Sequence, residues 1–210
     1  MSKQDRNKWN QRYAEGSYHK NNPVTLVEDW LPRLPVGRAL DVACGAGRNS
    51  ILMAQAGYQV DAIDISSEGL NLARKNAENQ GLSINWIEQD LDQPYQFDTD
   101  YDLIIVMWYV DLGLISRLCD CLTPGGYLLC EEHLITDQEV IGPTSLNYRV
   151  APGDLREAVS GVDVLLYEES IETNSDGEQV ASARVVVKNG TELKGSDPVN
   201  RRLDHKAIIR

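Results

Sequence analysis

The sequence has no apolar run long enough to span a lipid bilayer. Its longest such run, residues 103–110, has eight residues, whereas a membrane-spanning helix needs about 20. The first 13 residues are polar and lack the apolar segment of a signal peptide. We therefore expect no membrane association and a cytoplasmic location.

Basic residues are too few to balance the acidic ones. Lysine and arginine number 20 against 32 aspartates and glutamates, for a net charge of -12. Such acidity repels nucleic-acid phosphates, so we expect no nucleic-acid partner. The basic residues Arg201, Arg202, Lys206 and Arg210 cluster near the C-terminus and are interpreted as part of a solvated tail.

Paired cysteines are absent as well. Cys44, Cys119, Cys121 and Cys130 form no C-x-x-C pair, which argues against a zinc or dithiol redox site. The chain also lacks a Ser-His-Asp or reactive-cysteine pattern. We expect reduced thiols, no metal and no covalent nucleophile.

Apolar strand patterns and amphipathic helix patterns alternate through the first two thirds of the chain. Strands are expected at 38–43, 58–64, 83–89, 101–108 and 127–133, and helices at 47–56, 67–80 and 111–122. A turn is expected at Thr123-Pro124-Gly125-Gly126, before the fifth strand. This order predicts an α/β fold with a doubly wound, mostly parallel sheet.

The end of the pattern predicts an antiparallel hairpin. Two strand-like segments, 162–171 and 180–187, flank Asn174-Ser175-Asp176-Gly177, and Asp-Gly between such segments is a strong hairpin signal. The sheet then has seven strands. We expect one domain over residues 1–190, with an N-terminal lid helix at about 5–15, an insertion at 135–151 and a tail at 191–210.

The segment 40–47 (LDVACGAG) leads from a strand through a glycine turn into a helix. Gly45 and Gly47 allow close approach of a ligand to the backbone, and the helix presents unpaired N–H groups. Asp64 ends the second strand, where an acid can bind ribose hydroxyls. These features predict a cofactor that contains a nucleoside.

A nicotinamide dinucleotide is one candidate cofactor. The motif Gly45-x-Gly47-x-x-Ser50 is a weak match to the dinucleotide fingerprint, which usually has Gly or Ala at the third position. Asp41 lies four residues before Gly45 and is poorly placed beside a pyrophosphate. It is better suited to bind an ammonium group.

Taken together, the motifs resemble those of class I S-adenosylmethionine-dependent methyltransferases. Residues 40–47 resemble the first motif, Asp64 the ribose-binding acid, and Asp90 in Gln89-Asp90-Leu91 the residue that contacts adenine. Residues 101–106 (YDLIIV) and 122–129 (LTPGGYLL) resemble the fourth strand and the turn before the fifth. The resemblance covers about residues 5–188.

A narrower resemblance, to the tellurite-resistance methyltransferase branch, rests on 44–50 (CGAGRNS), 57–62 (GYQVDA), 9–13 (WNQRY) and 151–155 (APGDL). It implies a small acceptor such as a thiol or a chalcogen oxyanion. Residues 131–133 (EEH) depart from this branch, so the acceptor stays open.

The resemblance and the strand ends together give the candidate site residues. The cofactor site is expected to comprise Asp41, Ala43, Gly45, Gly47, Arg48, Asn49, Asp64, Ile65, Asp90, Leu91, Met107, Trp9 and Tyr13. The candidate substrate residues are Trp108, Tyr109, Glu132, Tyr148 and Arg149, and His133, with Glu131 and Glu132 beside it, is the candidate general base. For Trp9, Tyr13, Trp108 and His133, plain packing is the alternative interpretation.

Three functions follow. The first is S-adenosylmethionine-dependent methyl transfer to a small-molecule acceptor, by a monomer or weak homodimer. The second is a nicotinamide-dependent oxidoreductase, and the third is a protein that binds S-adenosylmethionine without catalysis.

Overall fold

The computed structural model describes residues 3–16, 22–97, 100–174 and 177–190. Its strands are β1 (Arg38–Val42), β2 (Gln59–Asp64), β3 (Asn85–Glu88), β4 (Tyr101–Met107), β5 (Leu122–His133), β6 (Asp163–Thr173) and β7 (Gln179–Lys188). They form one sheet in the order β3-β2-β1-β4-β5-β7-β6. Strands β1 to β5 pair in parallel, and β7 is antiparallel to both β5 and β6. The predicted sheet and terminal hairpin are confirmed.

In the described part of the chain, six α-helices accompany the sheet: α1 (Lys3–Ala14), α2 (Thr25–Trp30), α3 (Arg48–Gln55), α4 (Ser67–Glu78), α5 (Leu112–Cys119) and α6 (Asp154–Ala158). Side chains of α2, α3 and α4 share one apolar cluster with one face of the sheet. Side chains of α5 and α6 share a second cluster with the opposite face. The sheet is therefore covered on both sides, as parallel sheets require.

The central strand β4 shows why its sequence is almost continuously apolar. Residues Leu103, Ile104, Ile105 and Val106 are all fully buried, and they alternate between the two apolar clusters. A strand buried on both faces has no solvent side on which to place polar residues. The eight-residue apolar run is thus explained by the middle of the sheet.

Side-chain caps begin two of the helices. The Ser66 hydroxyl accepts a hydrogen bond from the Gly69 N–H at 3.0 Å, and the Asp111 carboxylate accepts one from the Leu114 N–H at 2.8 Å. These bonds satisfy N–H groups that a helix N-terminus leaves without a partner. The expected start of α4 after Ser66 is confirmed.

Two elements differ from the sequence prediction. Helix α2, with the 3₁₀ turn Leu31–Arg33 after it, was not predicted. It has six residues and no side-chain cap, so its stability comes from burial of Leu26 and Val27. The predicted turn at Thr123-Pro124-Gly125-Gly126 is wrong because these residues lie within β5.

The backbone of Asn189 explains this second difference. The Gly125 N–H donates to its carbonyl oxygen and its own N–H donates to the Gly126 carbonyl, both at 2.8 Å. A partner more than 60 residues away in sequence thus extends the strand through the glycine pair.

Other expectations concern the ends and insertions. The insertion 135–151 contains a 3₁₀ turn at Leu146–Tyr148 and isolated bridges that join Leu134 to Val150 and Ile141 to Val180. The expected tail 191–210 and the hairpin residues 175–176 lie outside the described residues.

All four cysteines are free thiols. Within the described ranges, no helix combines the length and hydropathy that a membrane span requires.

Candidate functional site

A cleft opens at the carboxyl ends of β1, β2 and β4. It is lined by Trp9, Tyr13, Asp41, Ala43, Cys44, Gly45, Ala46, Arg48, Asn49, Asp64, Ile65, Met107, Trp108 and Tyr109. Ligands of open α/β sheets bind at this edge, beyond the strand ends. Most of the residues expected to bind the cofactor are therefore brought together in one place.

Asp41 contributes a buried carboxyl group at the base of the cleft. Its side chain is 1% exposed, and one of its oxygens accepts a hydrogen bond from the Ser50 hydroxyl at 2.5 Å. Burial raises the pKa of Asp41 to about 7, although the Ser50 hydrogen bond and the Arg48 charge oppose this shift. A cationic ligand in the cleft would stabilise the ionised form.

Asp64 fixes the glycine turn by binding its backbone. One carboxylate oxygen accepts from the Gly45 N–H and the other from the Ser66 N–H, each at 2.8 Å. Burial raises the pKa of Asp64, and these two N–H donors partly offset the rise. Each carboxylate oxygen has a second lone pair, so the same side chain can also accept hydrogen bonds from ribose hydroxyls.

The two glycines of the turn have different roles. A Cβ at Gly45 would collide with the hydroxyl of Tyr13, and Gly45 lines the cleft. Gly47 faces away from the cleft: a Cβ there would approach Trp86 at 2.7 Å and Ala73 at 2.8 Å. Both glycines have positive φ angles, of 58° and 77°, which L side chains rarely adopt. Gly47 therefore allows close packing against Trp86 and Ala73, and Gly45 allows close approach of Tyr13.

Arg48 and Asn49 anchor the chain that follows α1. The Asn49 side-chain oxygen accepts from the Val24 N–H at 2.9 Å, and the Arg48 guanidinium donates to the Asn22 carbonyl at 3.1 Å. Both residues also line the cleft. Their predicted place at the start of α3 is confirmed, with a role in positioning that the sequence did not reveal.

Backbone strain marks the ends of the two central strands. Ala43 follows β1 with a φ of 56°, and Trp108 follows β4 with a φ of 64°. Residues other than glycine pay of order 1 kcal/mol or more for this conformation and keep it only where the surroundings enforce it. Both residues line the cleft, so both strained backbone conformations lie at the candidate site.

Helix α1 crosses the mouth of the cleft with two aromatic side chains. The rings of Trp9 and Tyr13 stack with centroids 6.1 Å apart, and Tyr13 is 6% exposed. Asn10 connects the helix to the start of α4, because its side-chain oxygen accepts from the Ser66 hydroxyl at 2.7 Å and the Glu68 N–H at 3.3 Å. Trp9 and Tyr13 of this helix thus line the cleft, and its role as a lid stays a prediction.

Tyr109 stands in acidic surroundings on the β4 side. Burial first, and then the charges of Asp111, Asp90, Asp64 and Asp5, raise the pKa of its phenol. The hydroxyl therefore stays protonated at physiological pH and can donate a hydrogen bond. The accumulated negative charge favours positively charged ligands in this part of the cleft.

Asp90 and Leu91 do not line the cleft. Asp90 accepts a hydrogen bond from the Asp92 N–H at 3.1 Å, and Leu91 is 5% exposed and packs in the apolar cluster of α5. Their assignment to the adenine end of the cofactor stays a prediction.

The candidate base and its neighbours on β5 also lie outside the cleft lining. His133 packs against Trp108, with ring centroids 4.3 Å apart. Glu132 is fully buried, and Glu131 binds Arg184 at 3.0 Å. Trp108 therefore stands between the cleft and His133.

The two candidates in the insertion have separate structural roles. The Arg149 guanidinium donates to the carbonyl oxygens of Pro143 at 2.8 Å and Leu134 at 2.9 Å, so it folds the insertion onto itself. Tyr148 is 44% exposed and lies beneath the Lys8 ammonium group, 5.3 Å from its ring centroid. This geometry does not support Arg149 as a ligand for an anionic acceptor.

Some site residues escaped sequence reasoning. Cys44 and Ala46 line the cleft, which their place inside the glycine turn could have indicated. Ser50 was not predicted as a site residue, whereas its hydroxyl donates a hydrogen bond to Asp41. Nothing in the sequence pairs Asn10 with Ser66.

Across the described residues, no group of three or more acids, histidines and cysteines is arranged to hold a metal ion.

Comparison with known proteins agrees with this geometry. Residues 39–126 match a family model described as a methyltransferase domain. A ubiquinone biosynthesis O-methyltransferase from Actinobacillus pleuropneumoniae is 32% identical over 134 residues, which cover 57% of this chain and 56% of that protein. The chain thus spans about half the length of the curated relatives it matches.

Solved structures show the same fold. TehB from Haemophilus influenzae superposes with a TM-score of 0.67 and 21% identity, covering 85% of this chain and 66% of that one. Magnesium protoporphyrin IX methyltransferase from Synechocystis PCC 6803 superposes with a TM-score of 0.68 and 19% identity, covering 89% and 98%. The chain therefore shares its fold with these structures, and its residues 39–126 are similar to a methyltransferase domain.

Proposed function

We propose that this protein transfers a methyl group from S-adenosylmethionine to a small-molecule acceptor. The observation that carries the proposal is the cleft itself. Asp41, Gly45 and Asp64 line its β1–β2 side, and Trp108 and Tyr109 line its β4 side. One half suits a charged nucleoside, and the other forms an aromatic wall for a second molecule.

The donor half fits S-adenosylmethionine on chemical grounds. The buried carboxyl of Asp41 suits an ammonium group, and the free acceptor capacity of Asp64 suits ribose hydroxyls. Gly45 lines the cleft without a side chain, so the turn presents its backbone to a ligand beside the Tyr13 hydroxyl. When bound, the cofactor supplies a sulfonium-activated methyl group.

The protein's part in the reaction is mainly to position the two reactants and exclude water. The aromatic residues Trp9, Tyr13, Trp108 and Tyr109 line the cleft, and aromatic faces attract cations. Correct alignment of two reactants contributes about 7–11 kcal/mol in favourable cases. The cleft would hold the acceptor's lone pair in line with the methyl group and its departing sulfur, and an acceptor that carries a proton would pass it to water.

The acceptor class follows from what lines the cleft. Among the described residues that line it, none is a histidine, and His133 lies behind Trp108. We therefore infer an acceptor that is already nucleophilic near neutral pH, such as a thiol or a chalcogen oxyanion. The acidic surroundings of Tyr109 favour the thiol over the oxyanion, because a thiol enters the cleft uncharged and a few per cent of it is the reactive thiolate near pH 7.

A phenolic hydroxyl is the second candidate acceptor. The named function of the Actinobacillus pleuropneumoniae relative, an O-methyltransferase of ubiquinone biosynthesis, supports it. The phenol would have to lose its proton to water, because Asp41 and Asp64, the acidic residues in the cleft lining, are assigned to the cofactor.

The proposal has two rivals. A nicotinamide-dependent oxidoreductase would place a pyrophosphate near Asp41, whose ionised form repels it. A protein that binds S-adenosylmethionine without turnover would bind the cofactor equally well, so only product formation separates it.

Methyl transfer from labelled S-adenosylmethionine to a panel of thiols, oxyanions, phenols and amines tests the proposal. We expect labelled product with at least one member, and none with Asp64→Ala. Asp163→Ala, at the start of β6 and away from the cleft, is the control and should behave as wild type. Binding of the cofactor without product from any panel member would favour the non-catalytic rival.

A further inference from the structure

Glu132 is a fully buried acid for which the proposed reaction has no direct use. It lies on β5 and is 0% exposed. One carboxyl oxygen accepts from the Tyr109 N–H at 3.0 Å and lies 3.8 Å from the Cys130 sulfur. The other has no hydrogen-bond partner among the described residues. Burying such a group costs free energy, so its presence calls for a compensating role.

Burial also decides the charge of this group. It raises the pKa of Glu132 well above its ordinary value, more strongly than the Tyr109 N–H and Cys130 can lower it. Burial therefore favours the protonated, neutral form of this side chain. In that form it accepts the Tyr109 hydrogen bond without an uncompensated charge in the core.

The segment bound by Glu132 is the strained one. Trp108 has a φ of 64°, and its N–H donates to the Glu131 carbonyl at 2.8 Å. The next N–H, that of Tyr109, donates to the Glu132 side chain. Two consecutive N–H groups are thus bound to β5. Without the carboxyl group, the Tyr109 N–H would be left without a partner beside an apolar core.

We propose that Glu132 is a positioning residue of the acceptor subsite, whose side chain holds the Trp108–Tyr109 segment as a wall of the cleft. It lies outside the cleft lining and acts only through the backbone of Tyr109. The acceptor part of this inference rests on the proposed function. The effect on the Trp108–Tyr109 segment does not, and it can be measured without turnover.

Two substitutions separate positioning from general stability. Glu132→Gln keeps a neutral side chain of the same shape with an oxygen that can accept the Tyr109 hydrogen bond, whereas Glu132→Leu removes the acceptor. Cys130→Ala is the matched control, because Cys130 is buried beside Glu132 and does not bind Tyr109.

The readouts are the indole N–H signal of Trp108 in ¹⁵N-tryptophan-labelled protein, assigned with Trp108→Phe, and calorimetric affinity for S-adenosylhomocysteine. We expect Glu132→Gln and Cys130→Ala to keep the Trp108 signal. Glu132→Leu should move or broaden it while changing affinity less than about threefold. Once an acceptor is identified, Glu132→Leu should raise the KM for that acceptor at least fivefold. Glu132→Gln should keep the KM of the wild type.

An unchanged Trp108 signal in Glu132→Leu, or an equal change in Cys130→Ala, would overturn the inference. If Glu132→Leu does not fold, amide hydrogen exchange in the wild type tests whether the Tyr109 N–H is hydrogen-bonded. The Tyr109 amide should be strongly protected, and exchange at the rate of an open loop would contradict the proposed bond. Failure of the wild type to bind S-adenosylhomocysteine would instead count against the proposed function and leave these readouts intact.

Discussion

At Asp41, the stability of the ligand-free protein and the binding of the cofactor require opposite protonation states. Its carboxyl group is buried and its pKa is raised to about 7, so its ionisation destabilises the ligand-free protein. The same ionised group is the one that an ammonium-bearing cofactor would bind. The residue is thus better suited to the complex than to the protein alone.

Asp41→Asn tests this opposition at a single side chain. At pH 8 we expect the free energy of unfolding in urea to rise by about 1–3 kcal/mol, since a buried charge is removed. Affinity for S-adenosylhomocysteine should fall about 10- to 100-fold, as expected when a charged hydrogen bond is lost. A variant with unchanged affinity would show that Asp41 does not contact the cofactor.

The pH dependence of cofactor affinity is a separate prediction from the same residue. With a pKa of about 7 in the free protein, Asp41 is mostly protonated at pH 6 and mostly ionised at pH 8. Affinity for S-adenosylhomocysteine should therefore rise about tenfold from pH 6 to pH 8. Calorimetry in buffers of different ionisation enthalpy should show proton release at pH 6, and Asp41→Asn should show neither effect.

Gly45 offers a test of the glycine turn. Gly45→Ala places a methyl group against the Tyr13 hydroxyl at a φ of 58°. Gly81→Ala is the matched control, because Gly81 has a φ of 69° and open space around it. Both should cost about 1–2 kcal/mol of stability from backbone strain, measured by urea unfolding. Only Gly45→Ala should also abolish cofactor binding, and equal binding by both variants would contradict the role given to Gly45.

At the scale of the element, α1 connects the cleft to α4. Asn10 accepts two hydrogen bonds from the start of α4, and Lys8 reaches Tyr148 in the insertion. The helix that carries Trp9 and Tyr13 of the cleft lining is thus held against both α4 and the insertion, an arrangement suited to retaining a bound ligand.

Asn10→Ala should weaken this closure. We expect dissociation of S-adenosylhomocysteine to accelerate at least threefold by stopped-flow fluorescence, since two hydrogen bonds that hold the lid are lost. Gln11→Ala changes the next residue, whose side chain donates a hydrogen bond to Glu15, just beyond α1, and it should leave the rate unchanged. Equal rates for both variants would mean that α1 does not retain the ligand.

The elements predictable from sequence are those stabilised by local pattern. Strands β1 to β5 follow from apolar runs bounded by turn residues, and α4 follows from Ser66 and its spacing. Helix α2 was missed because its six residues form only against the core. The path of β5 through Gly125 and Gly126 was missed because Asn189 determines it from a distance.

The candidate site likewise contains residues that the local sequence predicts and residues that depend on distant partners. Asp41 and Asp64 were predictable because parallel strands end at one edge of the sheet. The roles of Arg149 and Glu132 were not, since each depends on partners that only the tertiary structure brings near, namely the carbonyls within the insertion and the Tyr109 N–H.

At the scale of the whole molecule, several buried acids set the dependence of stability on pH. Burial raises the pKa of Asp41, Asp64, Glu131 and Glu132. A raised pKa means that the folded state holds protons that the unfolded state has released. The stability from these groups is complete below their unfolded pKa values, near 4, and is lost as pH rises through the folded values.

We therefore expect the free energy of unfolding to fall by a few kcal/mol between about pH 5 and pH 8, with Asp41 contributing up to about pH 7. Urea unfolding at several pH values measures it. Saturating S-adenosylhomocysteine should reduce the fall, because it stabilises ionised Asp41. Stability that rises steadily from pH 5 to pH 8 would contradict these assignments.

The cleft is the proposed binding site of S-adenosylmethionine. Separate calorimetric titrations with two ligands test this most directly. S-adenosylhomocysteine is titrated into wild type and Asp64→Ala, and NADH into wild type. We predict one equivalent bound by wild type, binding at least tenfold weaker in Asp64→Ala, and no heat from NADH. Absence of S-adenosylhomocysteine binding at millimolar concentration, or tighter binding of NADH, would contradict the account.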